Sequence, residues 1–207
     1  MVLDQSKQRK EYTMNVTKLC LVLSLVAVTA MKGSTETPTK AKEGKPAFAI
    51  RELQKQVVLY TIYRGDLNDI GSTITELYSL AAANGIYPEG PITFAYLNTS
   101  RHISSKHWVI EVRLPVDKRA LEIAGKLGKM TDIKTISAMK VAVATKPKGM
   151  ADSAPIYKNL YPWMLKHGHM SVSGPQETFL ANVETGDYLQ MKTEIMVPIW
   201  DSPADRD

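Results

Sequence analysis

Glu177 is the carboxylate in this 207-residue chain best placed to do chemistry. It lies in Gly174-Pro175-Gln176-Glu177-Thr178-Phe179, a turn pair followed by the start of a strand, with an aromatic ring two residues on. A carboxylate partly buried among aromatics attracts a cation whose flat body stacks on rings such as Trp163, Tyr96 or Phe179. Desolvation would also raise its pKa, suiting it to general acid or base work. The plainer alternative is a solvated acid at a strand start, the usual condition of a glutamate. Trp108, Tyr78, Tyr157, Tyr161 and Tyr188 are further rings for a cleft, although packing is the default role of any one of them. His167-Gly168-His169 offers two imidazoles, but the glycine breaks their geometry and no third ligand lies nearby, so no metal is expected. No Gly-x-Ser-x-Gly elbow and no phosphate-cradling glycine loop is present, and no cofactor is implied.

Those residues sit inside a sequence written twice. Ile50, Leu77, Tyr78, Gly85, Glu111, Val112, Pro115 and Val116 have counterparts 83 positions later at Ile133, Leu160, Tyr161, Gly168, Glu194, Ile195, Pro198 and Ile199. Gly90-Pro91 recurs at Gly174-Pro175, 84 positions later, which requires one extra residue after Gly168 that is lost again before the strand. With that correction Tyr96 matches Phe179, and Phe94 matches Glu177. The two halves thus differ where the acid stands.

Each half reads as strand, helix, strand, strand. Val57–Tyr63 is β-branched and aromatic, and Met139–Thr145 is its weaker copy. Ile70, Ile74, Leu77, Tyr78 and Ala81 form one helical face, which Asn84-Gly85 closes. The copy runs from about Ser153 to His167, with Tyr157, Leu160, Tyr161 and Met164 inward, and Pro162 predicts a kink. Thr93–Leu97 and Glu177–Ala181 follow as strands, then Trp108–Pro115 and Met191–Pro198. Residues 117–132 join the halves and suggest a short helix around Arg119–Lys126. The fold class is α+β: an antiparallel sheet with helices on one face and a pseudo-twofold relating halves at about 48–116 and 133–199.

The ordered set Tyr60-x-x-Tyr63-x-Gly65, Asn84-Gly85, Gly90-Pro91 and Leu114-Pro115-Val116 resembles the GyrI-like small-molecule-binding domain. So does its second copy, with Gly174-Pro175, Glu177-x-Phe179 and Thr193-Glu194-Ile195-x-x-Pro198. The family includes effector-binding domains of bacterial multidrug-sensing regulators, and the likeness covers about residues 48–201. It implies a ligand cleft between the halves and a lipophilic, often aromatic and cationic ligand. Glu177 matches the family's second-unit acid, with Phe179 in place of a tyrosine. Tyr63 stands where the family often has histidine. The resemblance also implies three alternatives: a hydrolase of strained electrophilic small molecules using Glu177, an inhibitor acting on a protein partner, and a haem-binding module of the sister fold.

The ends of the chain carry other information. Lys7, Arg9, Lys10 and Lys18 precede Leu19–Ala30, twelve mostly apolar residues with small ones at Val28 and Ala30. This is the pattern of a secretory signal peptide at 1–30, with Met14 as an alternative start. The run is too short for a membrane span, so the chain has no stable span unless the segment stays uncleaved as an anchor. Residues 31–46 read as a flexible linker, 47–201 as the domain and 202–207 as a tail. The single cysteine, Cys20, lies in the apolar run, which suits an extracytoplasmic protein, secreted or periplasmic. The net charge of +5 falls to +3 without residues 1–30, as 22 basic residues remain against 19 acids. That charge is too mild and scattered to imply nucleic acid as a partner.

Overall fold

The computed structural model describes residues 47–98, 103–150, 152–180 and 191–200. The segments read above as signal peptide, linker and tail, with Cys20 and Tyr188, lie outside the described residues. Ten main elements follow in order: β1 (Ala49–Leu53), β2 (Gln56–Arg64), α1 (Gly71–Ala83), β3 (Thr93–Tyr96), β4 (Val109–Val116), β5 (Thr131–Ile136), β6 (Met139–Lys146), α2 (Ala154–Lys166), β7 (Gln176–Phe179) and β8 (Thr193–Pro198). The strands form one antiparallel sheet in the order β1-β6-β8-β7-β3-β4-β2-β5. Each half therefore carries the strand-helix-strand-strand unit expected from the sequence, with one further strand at its head. The linking segment holds a 3₁₀ helix at Lys118–Ile123.

The duplication is legible in the register. Thr93 pairs with Arg113 in one half and Gln176 with Met196 in the other, residues 83 apart. The same offset relates Pro88↔Val116 to Ser171↔Ile199. It also relates the bond from Tyr96 N–H to the Pro175 carbonyl (3.0 Å) to that from Phe179 N–H to the Ile92 carbonyl (3.1 Å). This corrects the alignment of the two Gly-Pro pairs. Gly174 stands with Pro91 and Pro175 with Ile92, so no residue is inserted. The glycines serve different ends: a Cβ on Gly174 would sit 2.0 Å from the Tyr96 carbonyl oxygen, whereas one on Gly90 would meet the Pro115 ring at 3.3 Å.

The heading strands are exchanged between halves. β1 pairs with β6 of the second half, and β5 pairs with β2 of the first. An ion pair ties each exchange: Arg51 to Glu194, and its equivalent Lys134 to Glu111. Directly opposed residues in antiparallel strands share a face, so Val112, Phe94, Glu177 and Ile195 look the same way. Both helices pack on that side. Ile74 and Leu77 of α1 close over Leu59, Ile110, Val112 and Leu114. Leu160 and Met164 of α2 close over Ala142, Ala144, Ile195 and Val197. Truncating either helical leucine to alanine removes a fully packed side chain and costs about 2–5 kcal/mol.

Local signals end both helices alike. Gly85 and Gly168 adopt φ of +65° and +76° behind caps at Asn84 and His167. Pro162 does not interrupt α2, which continues past it to Lys166. Among the described residues no helix is long and apolar enough to cross a membrane.

Candidate functional site

The two helices flank the β3–β7 seam, and Glu177 lies on it. All four residues of β7 are buried, and the Glu177 side chain turns to the helix-covered face with only 6% of its surface exposed. Gly174 allows this placement, because any larger residue would push β7 off the Tyr96 carbonyl. On the opposite face the seam is closed by the hydroxyls of Thr93 and Thr178, 2.7 Å apart.

Two phenols hold the carboxylate. Tyr157 Oη, on α2, donates to Oε1 at 2.7 Å, and Tyr96 Oη, on β3, donates to Oε2 at 3.3 Å. Burial, and then the Glu177 charge, push both phenols well above the ordinary tyrosine pKa. They are neutral donors at any physiological pH. No ion pair involving Glu177 forms among the described residues, whose four pairs are all elsewhere. A buried carboxylate is costly unless paired or hydrogen-bonded, and here hydrogen bonds from neutral groups do that work.

The asymmetry extends beyond one residue. At the equivalent positions, 83 residues away, Glu177 has Phe94, Tyr157 has Ile74, and Tyr96 has Phe179. A polar cluster of an acid and two phenols thus has a wholly apolar image, Phe94, Ile74 and Phe179. The two meet at the seam, where Phe94 pairs directly with Glu177 across the strands. The Phe94 and Phe179 rings stand edge to face with centroids 4.5 Å apart. Trp108 stands edge to face on Tyr96 at 5.7 Å, and Tyr161 stacks on Tyr157 at 6.2 Å.

The structure brings five of the seven expected site residues together: Glu177, Tyr96, Phe94 and Phe179 directly, and Tyr161 through Tyr157. Trp163 and Tyr63 lie elsewhere. Trp163 emerges on another flank of α2 and packs on Phe48 at 5.6 Å and on His167 at 4.6 Å. Tyr63 donates to the Asp66 carbonyl at 2.5 Å, near the end of β2. Sequence reasoning placed Tyr157 inward and among the rings for a cleft but did not pair it with Glu177; the signal for that pairing was that an isoleucine occupies the same helix position in the other half.

Two shallow depressions lie away from the carboxylate. One, of about 160 Å³, is lined by Tyr161, Met164, Leu165, His169, Met170 and Ser171. The other, of about 210 Å³, lies by Tyr87 and Arg119 in the first half. His167 Nδ1 lies 2.7 Å from the Trp163 carbonyl oxygen. No cluster of three or more metal-binding side chains occurs among the described residues.

Neither a known protein family nor a curated protein matches the sequence. Solved structures do match the fold. The EcmrR–DNA complex aligns with a TM-score of 0.63 at 16% identity over 74% of this chain, which spans 57% of that chain. The isolated EcmrR C-terminal domain aligns at 0.58 and 16% identity, over 75% of this chain and 98% of the domain. A hydrolase from Listeria innocua aligns at 0.52 and 9% identity, over 74% of this chain and 91% of its own.

Proposed function

We propose that this chain, whose fold is that of the GyrI-like effector-binding domains, is a small-molecule-binding protein whose ligand is lipophilic and cationic. One observation carries the reading. A buried carboxylate, held by two neutral phenols and by no cation among the described residues, faces an apolar image of itself across the seam. A ligand cation supplies the missing positive charge, and its hydrophobic body lies against Phe94, Phe179 and the tyrosines. Charge in a desolvated site is worth more than charge in water, which favours cations over neutral molecules of equal size. The seam is closed in the described conformation, so binding requires α2 and its tyrosines to move outward.

The basic flank and short apolar run at the N-terminus support export, which places the binding site outside the cytoplasm. Fractionation of cells expressing the full chain tests this. Recovery of uncleaved protein in the cytosol would overturn it.

Fluorescence titration with a panel of aromatic and quaternary-ammonium cations tests the binding reading. Saturable binding that Glu177→Gln weakens supports it. Equal binding by the wild-type protein and the variant refutes it. A second reading rests on the same hydrogen bonds: the Glu177 carboxylate, oriented by two phenols, can take a proton from an attacking water and pass it to the leaving group, as a hydrolase of strained electrophiles requires. That reading demands turnover which vanishes in Tyr157→Phe while binding persists.

A further inference from the structure

The described residues leave one buried side-chain donor unused, the indole N–H of Trp108. Its Nε1 is sealed from solvent and has no hydrogen-bond partner. Buried polar groups are almost always paired, and an orphan carries a desolvation penalty, so each one needs a reason.

The backbone around Trp108 is held on every side. Its own N–H donates to the Ser105 carbonyl at 3.1 Å, and its carbonyl accepts from Gly65 N–H at 3.0 Å. Asn98 brackets the residue, with Nδ2 donating to the His107 carbonyl at 2.9 Å and Oδ1 accepting from Val109 N–H at 2.6 Å. Such bracing fixes the backbone from which the indole projects. The ring stands at 86° to Tyr96, the same tyrosine that donates to Glu177. The indole that carries the orphan donor is therefore separated from the buried carboxylate by one aromatic ring.

We infer that Trp108 is a second polar anchor of the ligand site, donating its indole N–H to a neutral acceptor oxygen on the ligand. This rests on the reading of Glu177 as a cation site, and it narrows the ligand class. The carboxylate takes the positive end, while an uncharged N–H takes a carbonyl or ether oxygen. The ligand is then an aromatic cation that also carries such an oxygen. A purely hydrocarbon onium ion would satisfy only the carboxylate. Sites built to hydrogen-bond one group discriminate against analogues that lack it.

A matched pair of probes tests this on the full chain: para-benzoylbenzyl trimethylammonium, and para-benzylbenzyl trimethylammonium, which has a methylene in place of the ketone. The expected result is about fivefold tighter binding of the ketone, the worth of one neutral hydrogen bond. Trp108→Phe, which keeps an aromatic ring, should abolish that preference and leave the methylene probe nearly unaffected. In wild-type protein the Trp108 indole proton resonance should shift with the ketone and not with the methylene probe, a readout independent of any variant. Equal affinity of the wild-type protein for both probes overturns the inference, as does an equal loss of both in Trp108→Phe. If neither probe binds saturably, the Glu177 reading itself falls, and the inference with it.

Discussion

Phe94 and Glu177 are direct partners across the β3–β7 seam and also occupy the same position in the two halves of the duplication. A residue pair on a pseudo-twofold axis is where symmetry would demand identity, and here it sets the largest contrast, a benzene ring against a carboxylate. The axis thus divides a polar pole (Glu177, Tyr96, Tyr157) from an apolar one (Phe94, Phe179, Ile74). A site so divided distinguishes the two ends of an amphiphilic molecule.

Glu177→Gln keeps an acceptor for one phenol and removes the charge. Lipophilic cations should bind about 10- to 100-fold more weakly, since hydrogen bonds to charged groups are worth about 1.5–3 kcal/mol. Calorimetry against the wild-type protein, with circular dichroism to confirm the fold, measures this. Unchanged affinity would remove Glu177 from the site.

Transposing the pair, Phe94→Glu with Glu177→Phe, keeps composition constant and separates the acid from its donors. The new carboxylate would face the apolar image, Ile74 and Phe179, instead of two phenols. The double variant should lose at least about 2 kcal/mol of stability, because a buried charge without partners is costly. It should not recover cation binding. Wild-type stability in urea would show that the tyrosines do not matter.

Much of this was legible before any coordinates. The helix spans, the glycine stops and the Phe94–Glu177 match all follow from periodicity and repetition, because local patterns encode them. Other features were hidden for physical reasons. β1 is mostly exposed and reads as a polar stretch, and its partner is β6, some ninety residues away. Trp163 is two positions past Tyr161, and on a helix two positions turn a side chain through roughly 200°. The Gly-Pro pairs misled because they are alike in sequence while their glycines meet different neighbours.

Gly174→Ala tests that last difference. Its Cβ would come 2.0 Å from the Tyr96 carbonyl oxygen, a backbone atom that cannot yield cheaply. Opening the seam there should cost about 3 kcal/mol or more, within the range of severe core disruptions. Gly90→Ala meets only the Pro115 ring, so thermal melts should show a markedly smaller loss.

Alkaline stability should report the two phenols. The folded-state pKa values of Tyr96 and Tyr157 lie above the unfolded value of about 10. Folded protein therefore holds those protons longer than unfolded protein does. The contribution is fully present below about pH 10 and is lost as pH rises through the folded values. Denaturation curves at about pH 9 and pH 11 should differ, and Tyr96→Phe/Tyr157→Phe should shrink the difference. An unchanged slope would contradict the burial.

The paired ion bridges should differ in worth. Glu111 is almost fully buried between Lys134 and Arg113, and those partners overcome its burial to hold its carboxyl below the ordinary range. Lys134→Met should cost about 1–3 kcal/mol, as it leaves a buried carboxylate short of a donor. Arg51 is far more exposed, and its bridge to Glu194 should be worth about 0–1 kcal/mol. Equal losses in urea denaturation would refute the distinction.

The exchanged strands set the order in which the chain can be completed. β1 leaves the ribosome first, but its hydrogen-bonding partner β6 appears only after the whole first half has been made. The first half cannot close independently either, because its outer edge belongs to β5. Neither half is a unit that can mature while the other is still emerging. Contacts so distant in sequence slow folding and lengthen the time that unpaired strand edges are exposed. The symmetry that resembles two small domains therefore yields one cooperative object, whose earliest described strand is among the last to be fastened.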